Sequence, residues 1–269
     1  MPKAMLERVL IPLDGSDQAA SVLPLLEPLL RRSGSEVFFL RTVPPLPSPA
    51  VPVQEADGYL RGIADRFQRD GMCSHALVNV GTPQQVIECL ACDEEITLIV
   101  MPVHEDAAFG PVTEHLLRES TRPLLALRPV SVQDSERFRG TGDRAILVPL
   151  DGSEASRRSL PLALELAASL EARLILMRVM EGGSGRSDAI KELRDLAERL
   201  NGQGTTAEIL LENGDPVERI LHACQDPAIQ LVAMATQGRS GTSEGLLGDV
   251  TRKILSRSPV PVLAVHVRG

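Results

Sequence analysis

The chain has 269 residues, 43% of them hydrophobic, which is long for one ordinary domain and comfortable for two of about 130. A net charge of −8 leaves no basic stripe to neutralise phosphates and argues against a nucleic acid partner. No apolar run approaches the roughly 18 residues of a membrane span, the start "MPKAMLERVLIPLDG" lacks the features of a signal peptide, and four scattered cysteines make no disulfide framework; the expectation is a cytoplasmic protein with no membrane partner.

The first element, "RVLIPL" from Arg8, is a continuous apolar run of the kind buried on both faces of a parallel sheet, and it stops at Asp14, Gly15 and Ser16. Asp17 to Leu30 follows with Ala19, Val22, Leu26 and Leu29 at helical spacing, and Pro24 predicts a late helix start or a kink. Next come a strand at "EVFFLRTV", a Pro-rich loop over 44–52 and a helix from about Glu55 to Arg69. A strand "CSHALVNV", a helix over Pro83 to Cys92 opened by its proline, a strand "ITLIVM", a short helix from about Val112 and a strand "PLLALRP" complete the half.

The second half repeats the first. "ILVPLDGS" answers "LIPLDGS" with Asp151 standing 137 residues after Asp14; "GDP" at Gly214 answers "GTP" at Gly81, and "PVLAV" answers "PLLAL". The same order of elements follows, through "RLILMRVM", a Gly-rich loop from Gly182, a helix through Leu200, "TAEILL", a helix from Val217, "IQLVAM", a loop, a helix from Val250 and "VPVLAVHV". The boundaries are therefore one domain over 1–130, a polar linker over 131–143 and a second domain over 144–269. Strand–helix alternation predicts an α/β fold, a doubly wound parallel sheet in each half.

In such a sheet ligands bind beyond the carboxyl ends of the strands, where strand order reverses. In the second half that selects Pro149, Asp151 and Gly152 after the first strand and Val179 after the second. It also selects "MATQGRSGTSEGLLGDVTRKIL" from Met234, whose Gly238, Gly241, Gly245 and Gly248 permit close backbone approach before a helix start suited to an anion.

These motifs, in the same order twice, resemble a tandem universal stress protein, with two family domains covering essentially the whole chain. The resemblance implies a Rossmann-like, adenine nucleotide alpha hydrolase-like fold and an ATP or other adenine nucleotide site in some members, with Mg²⁺ when the ligand is a triphosphate. It would place Asp151 and Val179 at adenine and ribose, and Gly238, Gly248 and the helix start at Asp249 and Val250 at the phosphates. It also implies pairing of the two halves inside one chain through their last strands as a pseudo-twofold pair. A further homodimer and an unidentified protein partner complete the partners considered.

Two residues depart from the family's glycine pattern. Ala235 stands at the first glycine, and Asp249 stands at the Ser or Thr after the last. Asp249 is read as a helix cap that also sets a carboxylate where phosphate should sit; at about 4 Å and an effective dielectric near 20 that repulsion is roughly 4 kcal/mol. Arg239 and a divalent cation are the candidates to offset it, Arg239 reading equally as a solvated loop residue. In the first half, aligning Met101 with Met234 and Gly110 with Gly248 leaves the loop five residues shorter, with Pro102, Glu105 and Pro111 at the pattern positions. Asp14 and Val43 survive while the phosphate cradle does not, so that half is read as structural or partner-binding.

Other candidates carry less. Cys89 and Cys92 have redox spacing but lie late in a helix, where a thiolate is not stabilised. Cys73 and His75 share a strand without a second ligand pair, and His104, Glu105 and Asp106 read as a solvated loop. His115, His222 and His266 are isolated, and the nucleophile elbow, Walker loop and dinucleotide fingerprint are absent. The expected function is a non-enzymatic stress-response protein whose second domain binds an adenine nucleotide or related ligand with weakened phosphate recognition. An ATP-binding switch with slow hydrolysis and a ligand-free interaction scaffold are the alternatives.

Overall fold

The computed structural model describes residues 4–45, 53–103, 110–128, 143–180, 185–237 and 247–266. The chain divides into two compact units, Met1–Arg139 and Gly140–Gly269. The predicted linker falls almost wholly outside the described residues.

In the first unit the order is β1 (Arg8–Pro12), α1 (Asp17–Ala20), α2 (Leu23–Ser33), β2 (Glu36–Val43), α3 (Val53–Arg69), β3 (Cys73–Val80), α4 (Pro83–Asp93), β4 (Leu98–Pro102), α5 (Pro111–Glu119) and β5 (Leu124–Leu127). All its strand pairs are parallel, in the order β3-β2-β1-β4-β5. The second unit repeats this with β6 (Ala145–Pro149), α6 (Glu154–Arg157), α7 (Leu160–Leu170), β7 (Arg173–Met180), α8 (Arg186–Gly202), β8 (Ala207–Asn213), α9 (Pro216–Ala223), β9 (Ile229–Ala235), α10 (Asp249–Arg257) and β10 (Val262–Val265). Its order is β8-β7-β6-β9-β10, again parallel. Among the described residues no helix is long and apolar enough to cross a membrane.

The central strands explain the hydrophobic runs. Val9 to Ile11 and Ala145 to Val148 are completely buried, because crossover helices cover both faces of a parallel sheet. Chain order reverses beside β1 in one unit and beside β6 in the other, so the crevice of each lies between the carboxyl ends of β1 and β4, or of β6 and β9.

The helix after the first strand is broken in two. A single turn, α1 or α6, ends before α2 or α7 begins with Pro24 or Pro161 in its first turn, where a missing N–H costs nothing. The left-handed cap that closes this helix is Gly34 in the first unit and Glu171 in the second. On the next helix the buried residues are Ala56, Leu60, Ala64 and Phe67 in α3 and Ala189, Leu193, Ala197 and Leu200 in α8. This register makes Tyr59 the counterpart of Glu192.

The duplicated turn before the fourth helix is capped in one copy only. Asp215 accepts a hydrogen bond from Glu218 N at 2.9 Å, whereas the Thr82 hydroxyl donates to Gln85 Oε1 at 2.8 Å and caps nothing. Asp215→Ala is expected to lower stability by about 1 kcal/mol and Thr82→Ala by less than about 0.5 kcal/mol in urea denaturation.

Candidate functional site

The site begins with the Asp-Gly-Ser turn at the end of β6. Asp151 Oδ1 accepts hydrogen bonds from Ser153 N (2.8 Å) and Ser153 Oγ (2.6 Å), and Ser153 Oγ accepts from Ser156 N (3.1 Å) to cap α6. Asp14, Ser16 and Ala19 repeat this chain with the same three distances. Gly152 has φ +90° and Gly15 φ +89°, so each turn needs a residue tolerant of the left-handed region.

An arginine from the neighbouring strand lies against each glycine. A Cβ on Gly152 would come within 2.8 Å of Arg178 Nη1, and one on Gly15 within 2.5 Å of the Arg41 guanidinium. Arg178 is only 6% exposed; its Nε donates to the Leu150 carbonyl and its Nη2 to Glu192 Oε2 at 3.2 Å. Arg157 binds the other Glu192 oxygen. Partial burial pushes the Glu192 carboxyl up, but the two guanidinium groups outweigh it and hold the group below the ordinary carboxylate range. In the first unit Arg41 instead lies over the Tyr59 ring, 5.5 Å from its centroid. Burial, and then the Asp14 carboxylate, raise the Tyr59 phenol.

Above this turn each unit has a cavity. That of the second unit measures about 130 Å³ and is walled by the carboxyl ends of β6, β7 and β9, the start of α9 and the first turn of α10. Of the residues expected at the site, Pro149, Asp151, Val179, Met234, Ala235, Gly248 and Val250 come together on its wall. Gly152 stays in the turn over Arg178, and Gly238, Arg239, Gly241 and Gly245 lie outside the described residues, as do His104, Glu105 and Asp106.

Asp249 stands at the helix start but is not the cap expected of it. Gly248 is the N-cap of α10 and Asp249 the first helical residue, exposed and off the cavity wall. With Val250, the helical residue on the cavity wall is Thr251, whose hydroxyl donates to the Ala235 carbonyl at 3.0 Å. Gly248 N donates to the Thr236 carbonyl at 2.9 Å, closing the crossing from β9 to the helix. Sequence reasoning missed Thr251, although Gly110-x-Val-Thr and Gly248-x-Val-Thr repeat it. It also missed Met177, Pro216 and Ile220, which supply apolar wall from elements carrying no motif glycine.

The first unit retains more of the site than its glycines suggest. Its cavity measures about 220 Å³, and Asp14, Thr42, Met101, Pro102, Gly110 and Thr113 occupy the counterpart positions. Strand pairing sets Pro12 beside Leu40 and Pro149 beside Met177, so Thr42, not Val43, corresponds to Val179; Val43 belongs with Met180. The wall is therefore duplicated, and the difference lies at the helix start. Pro111, at the first position of α5, offers no N–H where Asp249 offers one.

The remaining cysteine pair is not an activated one. Cys89 and Cys92 are exposed on α4, and the Cys89 thiol donates to Asp93 Oδ2 at 3.2 Å, which raises its pKa and disfavours the thiolate.

The profile described as the universal stress protein family matches residues 5–128 and 144–266. The chain belongs to the universal stress protein family, with two copies of its domain. Universal stress protein YxiE of Bacillus subtilis is 27% identical over 144 residues, 45% of this chain and 97% of its own length. A universal stress protein of Thermus aquaticus is 28% identical over 135 residues, 46% of this chain and 98% of its own. Both relatives thus match about one domain's worth of this chain. A solved universal stress protein from Archaeoglobus fulgidus shares the fold across 96% of both chains, with a TM-score of 0.77 at 22% identity.

Two variants test how the turn is held. Gly152→Ala is expected to cost about 1–3 kcal/mol in urea denaturation, since it strains the backbone and displaces an anchored arginine. Glu192→Gln is expected to cost about 1 kcal/mol near neutral pH, allowing for solvent screening at this one-third-exposed side chain. Because the folded pKa is depressed, the wild-type advantage is present above the unfolded carboxyl value. It disappears as pH falls through the folded pKa, which paired denaturation curves between about pH 7 and 3 will show.

Proposed function

We propose that the second domain binds an adenine nucleotide or a related adenosine-containing ligand in its cavity. Ligand binding then acts on a protein partner rather than on a substrate, as a non-enzymatic stress-response function in the cytoplasm. One observation carries this reading: the ends of β6, β7 and β9 and the first turn of α10 converge on one cavity, with Asp151, Val179, Ala235 and Gly248 on its wall. A largely apolar wall with a few polar groups suits a base and a sugar, and Asp151 is a hydrogen-bond acceptor for ribose hydroxyls. Ala235 and Thr251 complete the wall beside the helix start, the Thr251 hydroxyl held by the Ala235 carbonyl.

Phosphates would meet the N-terminus of α10, where helix N–H groups favour an anion and the Asp249 carboxylate opposes it. Since Asp249 is exposed and off the cavity wall, water screens that opposition, and it falls from roughly 4 kcal/mol to about 1 kcal/mol, or about fivefold in affinity. A Mg²⁺ ion entering with a triphosphate would weaken it further. The same residue leaves adenosine untouched.

Calorimetric titration with adenosine and with ATP, on the wild-type chain and on Asp249→Ser, tests both parts. Adenosine is expected to bind both proteins equally, and ATP to bind Asp249→Ser about fivefold tighter than wild type. Failure of either compound to bind either protein would remove the nucleotide reading. Equal ATP affinities would remove the role given to Asp249.

A further inference from the structure

The amino ends of β2 and β3, at the far end of these strands from the cavity, bring together three side chains of different donor chemistry. The parallel register sets Glu36 beside Cys73 and Phe38 beside His75, so that the strand pairing places all four on one face. Cys73 Sγ lies 3.6 Å from His75 Nε2, and His75 Nε2 lies 2.9 Å from Glu36 Oε1. One donor atom from each of Glu36, Cys73 and His75 falls within 4.8 Å of the others, and the described residues hold no second group of this kind. We propose that Glu36, Cys73 and His75 form a zinc site with three protein ligands and a fourth position open to water.

Two of the three donor separations lie close to those of tetrahedral zinc. The third, between Cys73 Sγ and the Glu36 carboxylate and at most 4.8 Å, would close to about 3.6 Å. Tetrahedral bonds to a thiolate and an imidazole put S and N about 3.6 Å apart, the separation already present between Cys73 and His75. The imidazole and carboxylate donors would stand about 3.4 Å apart, so Glu36 must draw back by about 0.5 Å. Its side chain, 32% exposed, has the room. A sulfur, a nitrogen and a single oxygen donor suit Zn²⁺ and not Ca²⁺ or Mg²⁺, which take oxygen.

The surroundings hold the ligands in place. Phe38 stacks on the His75 ring at 4.8 Å and 20°, fixing its plane. Arg8 Nε lies 3.4 Å from Glu36 Oε2, which leaves Oε1 as the oxygen turned to His75. The charge of Arg8 opposes a dication, but Glu94 pairs with that guanidinium at 2.9 Å and offsets it. The fold does not demand this cluster. At the same corner of the second unit Arg173 takes the place of Glu36, with Thr206 and Glu208 in place of Cys73 and His75, and Arg173 pairs with Glu208 (2.9 Å) and Asp143 (3.0 Å).

Cobalt is the probe, because a thiolate bound to Co²⁺ gives a charge-transfer band in the near ultraviolet. The reduced full chain, titrated with Co²⁺, is expected to show this band at one equivalent, and Zn²⁺ to abolish it by displacement. Cys73→Ser should lose the band, while the double variant Cys89→Ser with Cys92→Ser should keep it. His75→Ala and Glu36→Gln should each weaken Co²⁺ binding at least tenfold. All three ligands reach the surface, and far-ultraviolet circular dichroism confirms that each variant is folded. No band in the wild-type chain, a band that survives Cys73→Ser, or unchanged affinity in both His75→Ala and Glu36→Gln would overturn the proposal. Nucleotide binding at the opposite end of the strands is a separate measurement, so either result stands without the other.

Discussion

Each domain depends on one arginine that crosses from the second strand to the turn after the first. Arg178 is almost fully buried, so its charge has to be answered inside the protein; the Leu150 carbonyl and Glu192 answer it. That requirement fixes the turn from below while Asp151 and Ser153 fix it from above, and the glycine between them is the one residue with no side chain to get in the way. The aspartate of the motif is thus first a turn former. One of its oxygens is committed to the local hydrogen bonds, and its presence in both copies follows from the backbone as much as from any ligand.

The first domain solves the same problem with different chemistry. Tyr59 stands where Glu192 stands, and the guanidinium of Arg41 rests on an aromatic face instead of a carboxylate. The two solutions share the glycine, the arginine and the turn, and differ in the group on the covering helix and in the second guanidinium, Arg157, that joins Glu192 in the second domain. A duplicated domain tolerates this because a cation is satisfied by either partner.

Much of the fold was legible in the sequence because its causes are local or repeated. Buried parallel strands announce themselves as apolar runs, Pro24 and Pro161 mark late helix starts, and the spacing of the two aspartates gives the duplication. The site was legible only in part, because its wall is assembled across elements. Thr251 and Ile220 reach it from helices, and the first domain's cavity rests on prolines and aliphatic side chains that no glycine pattern singles out. Val43 resembles Val179 in kind, whereas strand pairing assigns that place to Thr42. Asp249 fits the sequence pattern of a cap, yet Gly248 takes the cap and leaves the carboxylate at the first helical position. Glu36 and Cys73 stand far apart in the chain, and only the pairing of β2 with β3 makes them neighbours.

Under the proposed ligand binding, the duplicated wall has a consequence for stoichiometry. Both cavities present strand-end aliphatic residues and a threonine from the following helix, while only the second has an N–H at the first position of that helix. A compound that senses the wall alone should therefore saturate at two per chain, and one that needs the helix start at one. Stoichiometry, more directly than affinity, separates what the duplication kept from what the first copy gave up.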